Sequence, residues 1–300
     1  MSADGGYGLD LDRRLVRALQ QNPRASVVAL AHAIHEPRAV VGQRLRALID
    51  SGAIRVVAAV HPHFAGLQVT AHVSVATRGP VADAATLVAS WPQTVLVSIV
   101  AGAHDLIMEV RVPTHTDIQA LLAQVRRHPA VVRTSTVIYT GVFKGLLEHD
   151  TYEPMSIDAT DRALLRELQR DGRANWQDLA ARVARSSSAV RVRVNRMLQA
   201  GIARLVVVQE RGHFGRLLTM GVGLTLRSEA TQVLTRLRHE EDVEFAAATI
   251  GRFDAVVTLR GASPVDLDAS LERLRSFPEV TALEAWAHLR SVKEDYTSAL

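Results

Sequence analysis

Apolar positions fall at helical spacing in three short stretches of residues 156–208. Within 161–169, Leu164, Leu165 and Leu168 share one face of a 3.6-residue period. Asp171-Gly172-Arg173 is a turn signal that ends this helix. Residues 179–183 predict a second short helix. Ser186-Ser187-Ser188 offers hydroxyls to cap a third, which runs to about residue 200 and stops at Gly201. Residues 205–209 read as a strand. Residues 9–60 follow the same plan, with helices at 12–20, 30–34 and 37–50, a stop at Gly52 and a strand at 56–60.

The other segments alternate strand and helix periods. Residues 68–76, 94–100, 106–112 and 131–143 predict strands, and 81–90 and 116–127 predict helices. Further along, 217–227, 243–250, 255–260 and 280–292 predict strands, and 229–239 and 264–276 predict helices. The order β-α-β-β-α-β is that of a ferredoxin-like split βαβ unit. Residues 145–155 are polar, contain Pro154 and read as a linker. The expected class is therefore α+β. Helical segments occupy 9–60 and 156–208, and mixed domains occupy 66–144 and 215–295.

The plan recurs because the sequence does. An offset of about 149 residues lays Asp161-Arg162 on Asp12-Arg13, Leu164 and Leu168 on Leu15 and Leu19, and Arg173-Ala174 on Arg24-Ala25. Arg193 falls on Arg44, Gly201 on Gly52, and Gly251 and Asp254 on Gly102 and Asp105. That period is far too long for a solenoid repeat and marks a duplicated small protein fused in one chain.

Composition narrows the function classes. The chain has no cysteine, which excludes disulfides, zinc-thiolate sites and cysteine nucleophiles and is compatible with a reducing cytoplasm. Residues 1–8 lack the basic start and apolar core of a signal peptide. Apolar runs such as 94–103 are too short to span a bilayer, so no membrane partner is expected. Net charge is only +4, but residues 9–60 hold eight arginines against four acids, and 156–208 hold ten against five. The helical segments are basic and the remainder is acidic, a distribution that fits a nucleic-acid footprint as well as a solvated surface.

The third helix of each helical segment carries chemistry suited to duplex DNA. At about 100° per residue, Val190, Val194, Met197 and Leu198 form an inward stripe. Ser188, Val192, Asn195 and Arg196 lie opposite, with Arg191 and Arg193 flanking and Ser187 in the opening turn. Ser, Asn and Arg donors reach base edges and phosphates. In the first segment Val41, Leu45, Leu48 and Ile49 point inward. Ala39, Gln43, Arg46 and Ala47 point out, with Arg44 flanking and Arg38 at the start. Pro37 stands where the second copy has Ser186. Gly42 sits mid-helix, a choice about 1 kcal/mol worse than Ala.

These motifs together resemble the Lrp/AsnC (feast/famine) transcriptional regulators. The likeness rests on Leu164-Leu165, Leu168-Gln169, Asp171-Gly172-Arg173, Leu179-Ala180, Ser186, Val190, Arg193-Val194 and Gly201-Ile202, followed by a βαββαβ segment. In the first unit Asn22-Pro23-Arg24 replaces the Asp-Gly-Arg turn. The resemblance covers nearly the whole chain, twice, where ordinary members carry one unit. It implies winged helix-turn-helix domains, ACT-like effector and oligomerisation domains, double-stranded DNA as partner, association of chains, and a small effector such as an amino acid. It also implies effector-binding loops at Gly102, His104 and Asp105 and at Gly251 and Asp254. Thr134 and Thr136 offer hydroxyls to the same cleft, where the second unit has Ala282-Leu283-Glu284-Ala285. The plainer reading is that Gly and Asp simply shape the turn between two strands.

Enzyme readings are weaker. His61 and His63 form the only close histidine pair, His63 recurs as His213, and no carboxylate stands at ligand spacing, so no metal is expected. Phosphate loops, nucleophile elbows and HExxH motifs are absent. No cofactor and no catalytic residue are assigned. The alternative enzyme is a siroheme decarboxylase-like protein, a family similar in its two-domain plan. It would use His72, His104, His115 and Arg111 to hold tetrapyrrole carboxylates. A DNA-binding architectural protein without an effector is the other alternative.

Overall fold

The computed structural model describes residues 3–145, 153–209 and 217–296. Its chain is divided into two compact units that interleave along the sequence. One gathers both helical segments and the other gathers both mixed segments.

In the helical unit, α1 (Ala3–Gln21), α2 (Val27–Ile34) and α3 (Arg38–Asp50) lead into β1 (Ile54–Val60). The second copy has α6 (Ala159–Arg170), α7 (Trp176–Val183), α8 (Ser187–Gln199) and β6 (Ala203–Gln209). Leu15, Leu19, Leu30, Val41, Leu45, Leu48 and Ile54 form one core. Leu164, Leu165, Leu168, Leu179, Val190, Val194, Met197 and Ile202 are buried in the second copy. Caps fix the helix starts: the hydroxyls of Ser26 and Ser186 accept from the amides of Ala29 and Ala189, and Asn175 accepts from Asp178. Both turns into the third helix pass through a left-handed residue, His35 at φ 54° and Ala184 at φ 51°.

Two expected core residues lie outside. Ile49 is 40% exposed and Leu198 is only half-buried. Each sits about 80° around its helix from the centre of the stripe, at Val41 or Val190, so the narrow core of a three-helix domain does not reach it.

β1 and β6 pair antiparallel from Ile54 opposite Gln209 to Val60 opposite Ala203. The two helical copies are thereby joined by a ribbon. A reciprocal arginine clasp reinforces the join. Arg24 donates to the carbonyls of Gly172 and Ala174 at 2.7 and 2.6 Å. Arg173 donates to those of Pro23 and Ala25 at 2.6 and 2.9 Å.

In the mixed unit the first copy has β2 (Val69–Thr77), α4 (Ala82–Ala89), β3 (Thr94–Ala101), β4 (Leu106–Val112), α5 (His115–Arg126) and β5 (Val131–Lys144). The second has β7 (Leu218–Leu226), α9 (Ala230–Leu237), β8 (Val243–Ile250), β9 (Ala255–Gly261), α10 (Pro264–Arg275) and β10 (Val280–Glu294). The sheets run β3-β4-β2-β5 and β8-β9-β7-β10, and they close on each other into an eight-stranded barrel. The long last strands make the closure. The first half of β5 pairs with β2 and its second half with β8, and β10 likewise pairs with β7 and then β3. Register shifts at each junction bend the strands around the barrel. No strand of the barrel keeps an unpaired edge.

Alternation sorts the strand residues onto two faces. Val73, Val75, Leu106, Met108 and Val110 pack under α4 and α5. Leu96, Val100, Ile107, Val137, Phe253, Val256 and Trp286 meet between the sheets.

Candidate functional site

Exposed donors line one face of each third helix. On α8, Ser188, Arg191, Val192, Asn195 and Arg196 are exposed and Ser187 is half-buried, whereas Val190, Val194 and Met197 face the core. On α3, Arg38, Gln43 and Arg46 are exposed. At the repeat offset these faces share no residue. Arg38, Ala39, Gly42, Gln43, Arg46 and Ala47 stand where α8 has Ser187, Ser188, Arg191, Val192, Asn195 and Arg196.

The flanking arginines are held differently from the expected reading role. Arg193 donates to Asp158 at 2.8 Å and to Asp161 at 2.9 Å, and Arg196 donates to Asp161 at 3.0 Å. Asp161 is 1% exposed, so Arg193 is a clasp between α8 and the start of α6. These hydrogen bonds raise the Arg193 pKa. Asp158 is held below the usual carboxylate range, first by the Asp161 amide. Arg44 makes the same clasp, forking Asp12 at 2.5 and 2.6 Å. Arg196 remains half exposed and keeps donors toward solvent.

The turn residues are likewise occupied. Asp105 accepts from the amide of Thr77 at 2.7 Å, and Asp254 accepts from the amide of Leu226 at 2.7 Å. Their carboxylates fasten each β-turn to the end of the neighbouring strand. Gly102 and Gly251 have φ near +145°. A Cβ at Gly102 would stand 3.2 Å from the carbonyl oxygen of Ala285, and one at Gly251 would stand 2.9 Å from that of Thr136. The glycines let each turn lie on the opposite half's last strand, which answers to barrel closure. Thr134 and Thr136 pair with Val75 and Val73, so they lie on the helix-covered face with those valines. Ser135 and Val137 are the β5 residues on the face between the sheets, because the side-chain period of a strand is two.

His104 alone of the expected effector set joins a polar cluster. It is buried, its Nε2 is 3.5 Å from Arg252 Nη1, and its Nδ1 is 3.8 Å from Glu284 Oε1. Arg252 in turn donates to Glu284. Burial, then Arg252, lowers the His104 pKa. His72 is buried too, with its ring centroid 5.4 Å from that of Trp286. Burial lowers its pKa to about 3, helped by His288, His104 and Arg252. His288 Nδ1 is hydrogen-bonded to Ser98 Oγ at 2.8 Å.

Alongside, Arg111 donates to Glu109 at 3.3 Å and Tyr139 donates to it at 3.4 Å. Burial holds Glu109 above the usual carboxylate range against the pull of Arg111, and it raises the Tyr139 phenol. His72 Nε2, Arg111 Nε and Nη1, and Trp286 Nε1 are buried without a hydrogen-bond partner. Glu109, Tyr139, Trp286 and His288 escaped sequence reasoning, whereas Arg252 lies in the expected loop from Gly251 to Asp254 and Glu284 in the stretch expected at the same cleft. The signal was Glu109 and Arg111 two apart in the otherwise apolar run 106–112, every residue of which is buried.

His115, by contrast, is exposed at the first turn of α5 and does not converge with His72 and Arg111. His213 lies outside the described residues. Among the described residues no group of three or more His, Asp or Glu side chains is placed to hold a metal ion. No helix of the described residues is long and apolar enough to cross a membrane.

Comparison with known proteins fits this arrangement. Residues 10–49 and 157–198 each match the AsnC-type helix-turn-helix domain, and residues 68–145 match the Lrp/AsnC ligand binding domain. The HTH-type transcriptional regulator PH0140 of Pyrococcus horikoshii is 30% identical over 138 residues, covering 45% of this chain and 87% of that protein. The HTH-type transcriptional regulator LrpA of Mycobacterium tuberculosis is 34% identical over 128 residues, covering 42% of this chain and 85% of that protein. A solved siroheme decarboxylase, NirDL, superposes with a TM-score of 0.67 over 98% of this chain and 94% of its own, at 12% identity. At that identity the likeness is one of fold.

Proposed function

The chain belongs to the Lrp/AsnC family of helix-turn-helix transcriptional regulators, as a tandem of two units, and from that premise we propose that it binds duplex DNA selectively in the cytoplasm under the control of a small effector. The observation that carries the reading is the helical unit. Two family-type reading helices are built into one compact body by the β1–β6 ribbon, each with an exposed donor face.

On this reading α8 meets DNA with Ser187, Ser188, Arg191, Asn195 and Arg196, and α3 meets it with Arg38, Gln43 and Arg46. Arg44 and Arg193 hold the helices in place. Phosphate contacts from the arginines set affinity and its salt dependence, and the serine and amide groups supply base discrimination. Because the two faces differ at every compared position, the preferred site is two unlike half-sites rather than a palindrome. The barrel is the sensing and assembly domain. Chains associate further through it, and an effector such as an amino acid bound there alters the helical unit. DNA must then alter effector affinity by the same factor.

Selection of bound duplexes from fragmented genomic DNA, followed by footprinting, tests the reading. Recovery of one asymmetric motif supports it. Uniform binding to all duplexes would instead leave an architectural DNA-binding protein.

A further inference from the structure

The two halves of the barrel share a backbone feature and differ in its chemistry. β3 and β8 each bulge at one residue, Val95 in the first half and Glu244 in the second. The neighbouring strands bring an equivalent arginine to each bulge. The Arg111 amide donates to the Gln93 carbonyl at 2.8 Å, and the Arg260 amide donates to the Asp242 carbonyl at 2.7 Å. Arg260 is held there by a side chain. Its Nε donates to Glu244 Oε2 at 2.9 Å and its Nη2 to Oε1 at 2.5 Å, a two-point fork on a carboxylate.

Arg111 meets valine where Arg260 meets glutamate. Its Nη2 reaches Glu109 at 3.3 Å, and the Tyr296 ring lies 5.3 Å from the guanidinium carbon. Its Nε and Nη1 have no partner, although the residue is only 6% exposed. A guanidinium keeps its proton and all its donors, so this deficit is not relieved by deprotonation. His72 is the residue paired with Glu109 across β2 and β4, and it adds a second buried, unpartnered nitrogen on the same face.

We infer that Arg111 anchors a binding site for a small carboxylate, whose oxygens take the place that Glu244 holds beside Arg260. Glu109, Tyr139 and Tyr296 flank the anchor, and burial of Arg111 and Glu109 beneath the half-buried tyrosines selects a small acid. The site occurs once per chain, because Thr258, Gly221 and His288 stand where the first half has Glu109, His72 and Tyr139. The inference deepens the regulator reading by giving the effector an anchoring residue and a single site per chain. It rests on that reading only for the consequence that binding changes DNA affinity.

The test is thermal shift and titration calorimetry of the full chain. The probes are small monocarboxylates with and without an α-amino group, and the matching chloride salts serve as controls. At least one carboxylate raises the unfolding midpoint saturably with one equivalent bound per chain, and its pair partner tells whether the amino group contributes. V95E supplies the carboxylate from the chain itself, so it raises the ligand-free midpoint and abolishes the response, whereas E244V keeps the response. R111K retains the charge but loses the fork, and it weakens binding by roughly tenfold or more.

The inference is overturned if no carboxylate gives a saturable shift, if two equivalents bind, or if R111K binds as the wild type does. Duplex selection run in parallel separates the two claims. A selected motif without carboxylate binding sinks this inference alone, and carboxylate binding without a selected motif sinks the regulator reading alone.

Discussion

Arg24 and Arg173 clasp each other's turns. Each guanidinium spans two backbone carbonyls of the opposite helical copy, at 2.6–2.7 Å in one direction and 2.6 and 2.9 Å in the other. Burial lowers the pKa of both. The guanidinium of Arg24 also lies 4.0 Å from the centroid of the Trp176 ring, where the first copy has Val27.

Replacing either arginine with alanine strips donors from two carbonyls and is expected to cost about 1.5–3 kcal/mol of helical-unit stability. R24A is the more damaging, because it also forfeits the stack on Trp176. Urea unfolding of the two variants checks the order. Equal losses would show that the ring contributes nothing.

Arg193 and Arg196 separate holding from reading. R193A is expected to lower the thermal midpoint, but only partly, because Asp161 retains Arg196. R44A removes a two-point fork from the buried Asp12 and lowers the midpoint further. R191A and N195A leave the midpoint unchanged and weaken DNA binding. R191A also flattens the salt dependence by about one unit of slope if it loses one phosphate contact. Paired melting curves and salt-dependent binding isotherms distinguish the two groups. A fully stable R44A would refute the clasp.

His72 makes the barrel acid-sensitive. Its folded pKa of about 3 lies below the unfolded value near 6.5, so the stability tied to its neutral form is complete above pH 6.5. That stability is lost as pH falls toward 3, by about 1.4 kcal/mol per pH unit. Glu109 has the opposite sign. Its raised pKa favours the folded state below the unfolded value, and that contribution fades as pH climbs through the folded one. Unfolding of H72F between pH 7 and pH 5 is expected to be flatter than that of the wild type. An unchanged slope would place the acid sensitivity elsewhere.

Gly221 and Gly223 make room for two aromatic rings. A Cβ at Gly221 would lie 2.1 Å from Trp286 Nε1, and one at Gly223 would lie 2.5 Å from the Phe253 ring. G221A and G223A are each expected to cost about 1–3 kcal/mol by overpacking. Combining G221A with W286L recovers much of the first loss. If the double variant is no better than G221A alone, the ring is not what the glycine accommodates.

Local pattern carried most of the secondary structure. Ser186 caps α8 as its position before an apolar stripe implies, and 243–250 and 106–112 are strands at the expected bounds. Pairing between distant strands was not legible. Residues 131–143 read as one long strand, but nothing local says that its second half leaves its own sheet for β8. The same limit hid the site. Asp105 at a turn looks alike whether it meets a ligand or the Thr77 amide. Which of Thr134, Ser135 and Thr136 faces inward depends on a register that only the folded sheet sets.

Closure of the barrel within one chain also changes what a single substitution does. In a symmetric pair of identical subunits, every replacement is made twice, once on each side of the axis. A tryptophan at position 286 would then come with another at 137, and a glycine at 221 with another at 72. Here each replacement lands once. Bulk on one side of the axis can be matched by space on the other, and charge on one side by a neutral partner opposite, combinations that no homodimer can encode.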